Sequence, residues 1–355
     1  MAAGGGGDAV GALLARRALG DTDARPPLVT TCAWERLRID PVPGPRARSD
    51  FKGLGLVGGE QCEVLPTSDT NLSGRSVLPR LAETSRARIY LHDFTDGAVG
   101  LAAQLQRLAE SLGAERLAVI DVGGDIVARG HEPTLRSPLA DSLTLAAAIV
   151  SGIPTSVSVI GPGADAELSQ DLGTGLLQAL GAKRAGRIRA EDAAMLQPVL
   201  SWHPTEATAV VAAAASGTRG YVAIRRIDAP VPVNDRTTEV WSISHPSLVA
   251  FPLALALSQT ETLVEAEQAM RAMAVNEIDF ERDFASRENL GLRRLSLAEI
   301  VGEMRAAGAT HISDRRLSEL SRPSDPGLAA RCGPGPHRLW SRNYLAKTLK
   351  GSGLH

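Results

Sequence analysis

The sequence predicts an α/β fold, with a Rossmann-like, doubly wound and mainly parallel sheet followed by a C-terminal α+β extension. Three observations predict it. Short apolar runs alternate with segments of helical period, the loops after those runs are rich in glycine and acid, and the alternation loosens near residue 185. Strand and helix in regular alternation give parallel strands whose apolar faces are covered by helices on both sides.

The elements follow in order. Apolar runs at 28–32, 89–91, 117–122 and 156–160 read as buried strands, and helical periodicity marks 9–19, 99–112, 139–150 and 172–180. Beyond residue 185, helices are expected at 190–200, 206–215, 263–273 and 297–306, with strands at 221–225 and 240–244. Residues 1–185 therefore form a core rich in Gly/Asp loops, and 186–320 an extension packed on it. Residues 321–355, with "RPSDPG" and "CGPGPH", read as a loosely ordered tail. The stripe of Met195, Leu196 and Leu200 reads as core.

With 355 residues, 44% of them hydrophobic, and a formal net charge of -2, the chain can bury a substantial core. The balanced charge offers no electrostatic footprint for nucleic acid and no polybasic anchor for a membrane. Cys32, Cys62 and Cys332 show no metal-ligand spacing, and the sequence reads as lacking a signal peptide or apolar span. A cytoplasmic location with reduced thiols is expected, and a homo-oligomer is compatible with the helical block "EAEQAMRAM".

In open parallel sheets, ligands bind outside the carboxyl ends of the strands. The loops "GGGGDA" (4–9), "HDFTDG" (92–97), "DVGGDIVARGHEPTLRSPLAD" (121–141) and "GPGADAEL" (161–168) are all expected at that edge. The first satisfies a G-x-G-x-x-A dinucleotide loop, with Glu35 near the place of a ribose-binding acid. Against this, only Met1 to Ala3 precede the glycines, so the first strand is a stub or has been clipped. Asp8 would also repel a pyrophosphate. The pairing suits a ligand that carries an anion together with an ammonium, hydroxyl or metal ion. The plainer reading is a tight turn and a helix cap.

In the third loop, Asp121 and Asp125 flank "VGG", where Gly123 and Gly124 let the backbone approach a ligand. Ser137 and Pro138 open a helix that carries Asp141 among leucines. His131 and Glu132 are placed to move protons. Asp93, Gly163, Asp165 and Glu167 complete the expected binding set with Gly5, Gly6, Gly7 and Asp8. Each acid has an ordinary alternative as a turn former or a first-turn acid. Single, scattered histidines argue against zinc, whereas Asp121 and Asp125 are compatible with Mg²⁺ or Mn²⁺. No G-x-S-x-G elbow supports a nucleophile.

"AAGGGGDAVGALLARR", "DVGGDIVARGHEPTLRSPLADSLTLAA", "VIGPGADAELS" and "TEATAVVAAAASGTRGYVAIR" together resemble the DUF1152 family of uncharacterised proteins. The resemblance implies glycine at 166 and often cysteine at 164, where this chain carries Ala166 and Ala164. It names no activity. The residues point to an enzyme acting on a small polar metabolite bearing a carboxylate or phosphate, by hydrolase, lyase or group-transfer chemistry. The alternative is a non-catalytic nucleotide- or metabolite-binding protein.

Overall fold

The computed structural model describes residues 1–71, 74–273, 275–287, 294–321 and 336–351. Its class is α/β. Leu28–Cys32 and Arg88–His92 pair in parallel, and the hairpin of Gly55–Val57 and Glu60–Val64 extends that ladder antiparallel. Leu117–Val122 and Thr155–Ile160 form a second parallel pair.

Three residues join the two ladders. The Ala2 amide donates to the Thr30 carbonyl and the Ala3 amide to that of Ile120, both at 2.8 Å, while the Ile120 amide donates back to Met1. Met1–Ala3 is thus a short strand seated between Leu28–Cys32 and Leu117–Val122, and its amino group donates to the Ala118 carbonyl at 2.9 Å. The glycine loop therefore leaves the middle of the sheet.

Alternation along the strands sorts side chains onto two faces. Ala2, Ile120 and Val122 pack with the helices Gly6–Ala15, Leu78–Ser85 and Ala207–Ala215. Met1, Ala3 and Val119 pack with Gly97–Leu112 and Pro138–Val150. Leu14, Leu81, Leu101 and Leu139 are essentially inaccessible, and each contributes about 1.5–3 kcal/mol by leaving water.

Two boundaries differ from expectation. Residue 185 does not divide core from extension, because Glu239–Ile243 inserts antiparallel between Thr155–Ile160 and the edge strand Lys183–Arg187. The sheet is accordingly mixed at this end. The expected helix at 190–200 is two, Ala190–Met195 and Gln197–Leu200, broken ahead of Pro198. Met195 is exposed, so of the expected core stripe only Leu196 and Leu200 pack inside.

The segment read as a loose tail contains ordered structure. Leu339–Ser341 pairs with His311–Ser313 in a separate small sheet with Gly220–Ala223 and Val231–Val233. Trp340 and Leu345 are buried against Ile300, Met304 and Ile312, which is apolar area enough to hold the strand and its following helix, Arg342–Gly351. The rest of that segment, 322–335 and 352–355 with Cys332, lies outside the described residues. Cys32 and Cys62 are buried free thiols. No helix among the described residues is long and apolar enough to cross a membrane.

Candidate functional site

At the carboxyl ends of the central strands lies a cavity of about 160 Å³. The loops after Met1–Ala3, Leu28–Cys32 and Leu117–Val122 converge there because those three strands run parallel. Its lining includes Gly5, Gly6, Gly7, Asp8, Asp121, Asp125, Asp141, Asp165 and Glu167, brought together as the sequence indicates.

The glycine loop opens the helix Gly6–Ala15, with Gly5 as its N-cap and no side chain capping it. First-turn amides have no acceptor within their own helix, so those of Gly6 and Gly7 are available to an anion. Gly5 must lack a side chain, since a Cβ there would stand 2.9 Å from the Trp34 carbonyl oxygen. Asp8 turns back on the loop and accepts from the amides of Gly4 at 2.8 Å and Val122 at 3.2 Å. Burial lifts its pKa to about 6, against the pull of those two amides.

His203 and Thr205 close the anion side. Nδ1 of His203 accepts from the Thr205 amide at 3.2 Å, and burial lowers its pKa to about 3. The ring is therefore neutral and carries its proton on Nε2, a buried donor without a protein partner. A Cβ on Gly6 would lie 3.4 Å from that nitrogen, which places the donor beside the glycine loop. The Arg36 side chain, exposed at the cavity, makes no hydrogen bond or ion pair with any described residue.

Two carboxyl triads face this side. Asp8, Asp121 and Asp141 each offer an oxygen within 4.8 Å of the others, and so do Asp125, Asp165 and Glu167. Asp121 and Asp125, paired in the sequence reading, thus belong to different triads. The tight turn between them sends their side chains apart, and at Gly123 (φ +125°) a Cβ would stand 2.2 Å from Asp165 Cγ.

Both oxygens of Asp121 and Oδ1 of Asp141 are buried without a hydrogen-bond partner. Burial, reinforced by the neighbouring Asp8 charge, raises both carboxyls well above their usual range. In the second triad, Glu167 is fully engaged. It accepts from the amides of Arg136 at 2.6 Å and Ser137 at 2.9 Å, from the Ser137 hydroxyl, and from the Arg225 guanidinium. Burial would raise it, but Arg225 and the Ser137 bonds outweigh that and hold it below its ordinary value. Asp165 rises to about 7, chiefly through burial and then the Glu167 charge. Asp125 is pushed well up by burial and the Asp141 charge.

The structure places other expected residues away from the cavity lining. His131 is exposed, and Glu132 is buried because its carboxylate accepts the amides of Arg129 at 2.8 Å and Gly130 at 2.9 Å, which pins its own loop. Asp93 accepts from the Arg48 amide at 2.8 Å and ties down that segment instead. Gly123, Gly124 and Gly163 shape the turns behind the lining. Glu35 lines the cavity, but it holds the Val77 amide at 2.8 Å and the Ser76 hydroxyl at 3.1 Å, and burial raises it to about 7.

Sequence reasoning missed Arg36, Arg225, Arg315 and Glu277. Arg315 pairs with Glu206 and with Glu319 at 3.0 Å. Glu277 is buried with Oε2 unpartnered and its carboxyl raised well above normal by burial and the Glu281 charge. Trp202 packs under Arg80, whose guanidinium lies 4.3 Å from its ring centre.

No curated protein and no solved structure matches the chain. A family model described as "Protein of unknown function (DUF1152)" matches residues 1–285, a span that includes every cavity-lining residue named above except Arg315. With most of its length matched, and the glycine loop and both triads inside the match, the chain belongs to the DUF1152 family.

Proposed function

We propose that this protein is an enzyme acting on a small metabolite that bears a phosphate or carboxylate, by hydrolysis or group transfer. The observation that carries the reading is the polarity of one cavity. Uncapped amides of Gly6 and Gly7, the His203 Nε2 proton and the unpaired Arg36 side chain line the same cavity as a set of buried carboxyls. The sheet order around the Met1–Ala3 strand supports a Rossmann-like, doubly wound arrangement, in which ligands sit at this edge.

Size narrows the ligand. Pockets for drug-sized molecules run to about 300–1,000 Å³, so a cavity of about 160 Å³ suits a compact metabolite and not a dinucleotide. Asp8, inside the glycine loop, argues the same way by repelling a pyrophosphate. The chemistry follows from protonation. Asp165 near pKa 7 can give and take a proton at neutral pH, and Asp125, held neutral, can donate one to a leaving group.

A thermal-shift panel of inorganic phosphate, sugar phosphates, nucleotides and amino acids tests binding, since a ligand of the folded state raises stability with occupancy. Arg36→Ala is expected to abolish the shift from anionic ligands. For the ligand found, Asp165→Asn is expected to keep the shift and lose turnover. Binding with no product from the wild-type protein would instead establish a non-catalytic binding role.

A further inference from the structure

We infer that Asp8, Asp121 and Asp141 together hold one divalent cation, Mg²⁺ or Mn²⁺, beside the anion seat formed by the glycine loop. This deepens the cavity reading above and rests on it only for the position of the anion.

Four features carry the inference. The three carboxyls come from separate rigid elements: the first turns of Gly6–Ala15 and Pro138–Val150, and the end of the strand Leu117–Val122. One oxygen from each lies within 4.8 Å of the others, the spread of a common coordination sphere. Both Asp121 oxygens and Asp141 Oδ1 are buried without a partner, although Asp121 is 1% and Asp141 5% exposed. Native proteins rarely leave buried acceptors unsatisfied, and a bound ion accounts for all three atoms at once. Finally, none of the three carboxyls is in an ion pair with a lysine or arginine among the described residues. The charges that face them are Arg36 at the cavity mouth and the acids Asp125, Glu277, Glu167 and Asp165.

The donor set selects the ion. Three carboxylate oxygens without histidine or thiolate favour a hard cation. Mg²⁺ and Mn²⁺ keep open positions for water and for ligand oxygens, and the amides of Gly6 and Gly7 lie next to the site to hold the remaining oxygens of a phosphate. The second triad also leaves one buried oxygen, Asp165 Oδ2, without a partner, but it competes poorly because Arg225 already supplies its positive charge and Glu167 has no oxygen to spare.

Titration of the full-length protein with Mn²⁺ alone, followed by electron paramagnetic resonance, is expected to show one bound ion that Mg²⁺ displaces and Na⁺ does not. Asp121→Asn and Asp141→Asn are each expected to weaken binding about 100-fold or more, since even outer-shell changes cost 10–100-fold. Asp125→Asn is expected to leave it within about threefold, as a residue outside the coordination sphere. Circular dichroism checks that each variant is folded, and the two triad variants serve as replicates should one fail. No Mn²⁺ on folded wild-type protein overturns the inference, as does Mn²⁺ lost through Asp125→Asn instead of Asp121→Asn. Inorganic phosphate separates the two readings. Arg36-dependent phosphate binding without Mn²⁺ binding leaves the anion seat standing and removes the cation, and Mn²⁺ binding without phosphate binding does the reverse.

Discussion

Asp8, Asp121 and Asp141 and their neighbours Asp125, Asp165 and Glu167 are alike in residue type, number and cavity, and differ in company. In the second triad, Arg225, Ser137 and the amides of Arg136 and Ser137 turn onto Glu167, while Asp165 accepts the Glu167 amide and keeps Oδ2 unpartnered. The first has two amides on Asp8 and no hydrogen bond to either oxygen of Asp121. A buried carboxylate persists as a charge when a guanidinium and several donors repay its lost hydration, and otherwise takes up a proton or awaits a cation. One triad is therefore built into the fold, and the other is held in reserve by it.

The comparison breaks most sharply at Arg225. Its side chain is 21% exposed and that of Glu167 fully buried, so Arg225→Ala leaves a carboxylate buried without its counter-charge. A loss of about 3–5 kcal/mol is expected in urea unfolding, the usual result of breaking a buried pair. A change below about 1 kcal/mol, the worth of an exposed pair, would show that the Ser137 and Arg136 donors suffice and that the triads differ less than their partners suggest.

Next in size is Gly123→Ala, which tests the turn that separates Asp121 from Asp125. The new methyl would collide with Asp165 at a backbone angle that suits glycine, and about 2 kcal/mol of destabilisation is expected from the strain and the displaced carboxyl. Retained stability would mean that Asp165 can move aside.

The acids without a counter-charge in either triad make a different prediction, in pH. Asp8 rises from 3.8 to about 6 and Asp165 to about 7, so between those limits the folded state binds more protons than the unfolded chain. These carboxyls therefore contribute stability to the ligand-free protein that is lost as pH rises from about 4 to 8, the reverse of a salt-bridged acid. The buried His203, His92 and Met1 amino group, with lowered pKa values, act in the opposite sense. Glu167, held below its ordinary value, works in the opposite sense only at lower pH. Asp121→Asn removes a buried charge with no partner, and at pH 8 it is expected to stabilise the ligand-free fold by about 1 kcal/mol while flattening the profile. Urea unfolding of both proteins at pH 5 and pH 8 isolates the acid's share from that of the buried histidines and amino terminus, and an Asp121→Asn profile parallel to the wild type's would contradict the burial of an unpaired acid.

Much of this was legible in sequence, for a physical reason. Buried strands need apolar runs and parallel strands put their loops at one edge, so the acids after 3, 122 and 160 had to converge. Arg36, Arg225 and Glu277 carry no such signal, since each is one polar residue among many until the chain folds. His131 and Glu132 misled because they share a loop with the true lining acids, and only the Arg129 and Gly130 amides reveal that Glu132 is a loop anchor. Lys183–Arg187 escaped because an exposed edge strand of basic residues has no apolar alternation, a pattern that also discourages edge-to-edge pairing.

The smallest effect concerns Ala166, where the family resemblance implies glycine. The backbone there is left-handed, at φ +66°, in the turn that carries Asp165 and Glu167. A non-glycine residue in this region pays about 1–2 kcal/mol, while glycine adds about 0.4–1 kcal/mol of unfolded-state entropy. Ala166 is half-buried against the core around the helix Gly6–Ala15, so its methyl also returns some packing. The balance favours Ala166→Gly by about 0.5 kcal/mol, visible as a higher urea midpoint at unchanged slope. Because the turn positions only the Arg225-paired triad, Mn²⁺ affinity should not move. A shift in that affinity would show that the two triads are mechanically coupled and not independent halves of one cavity.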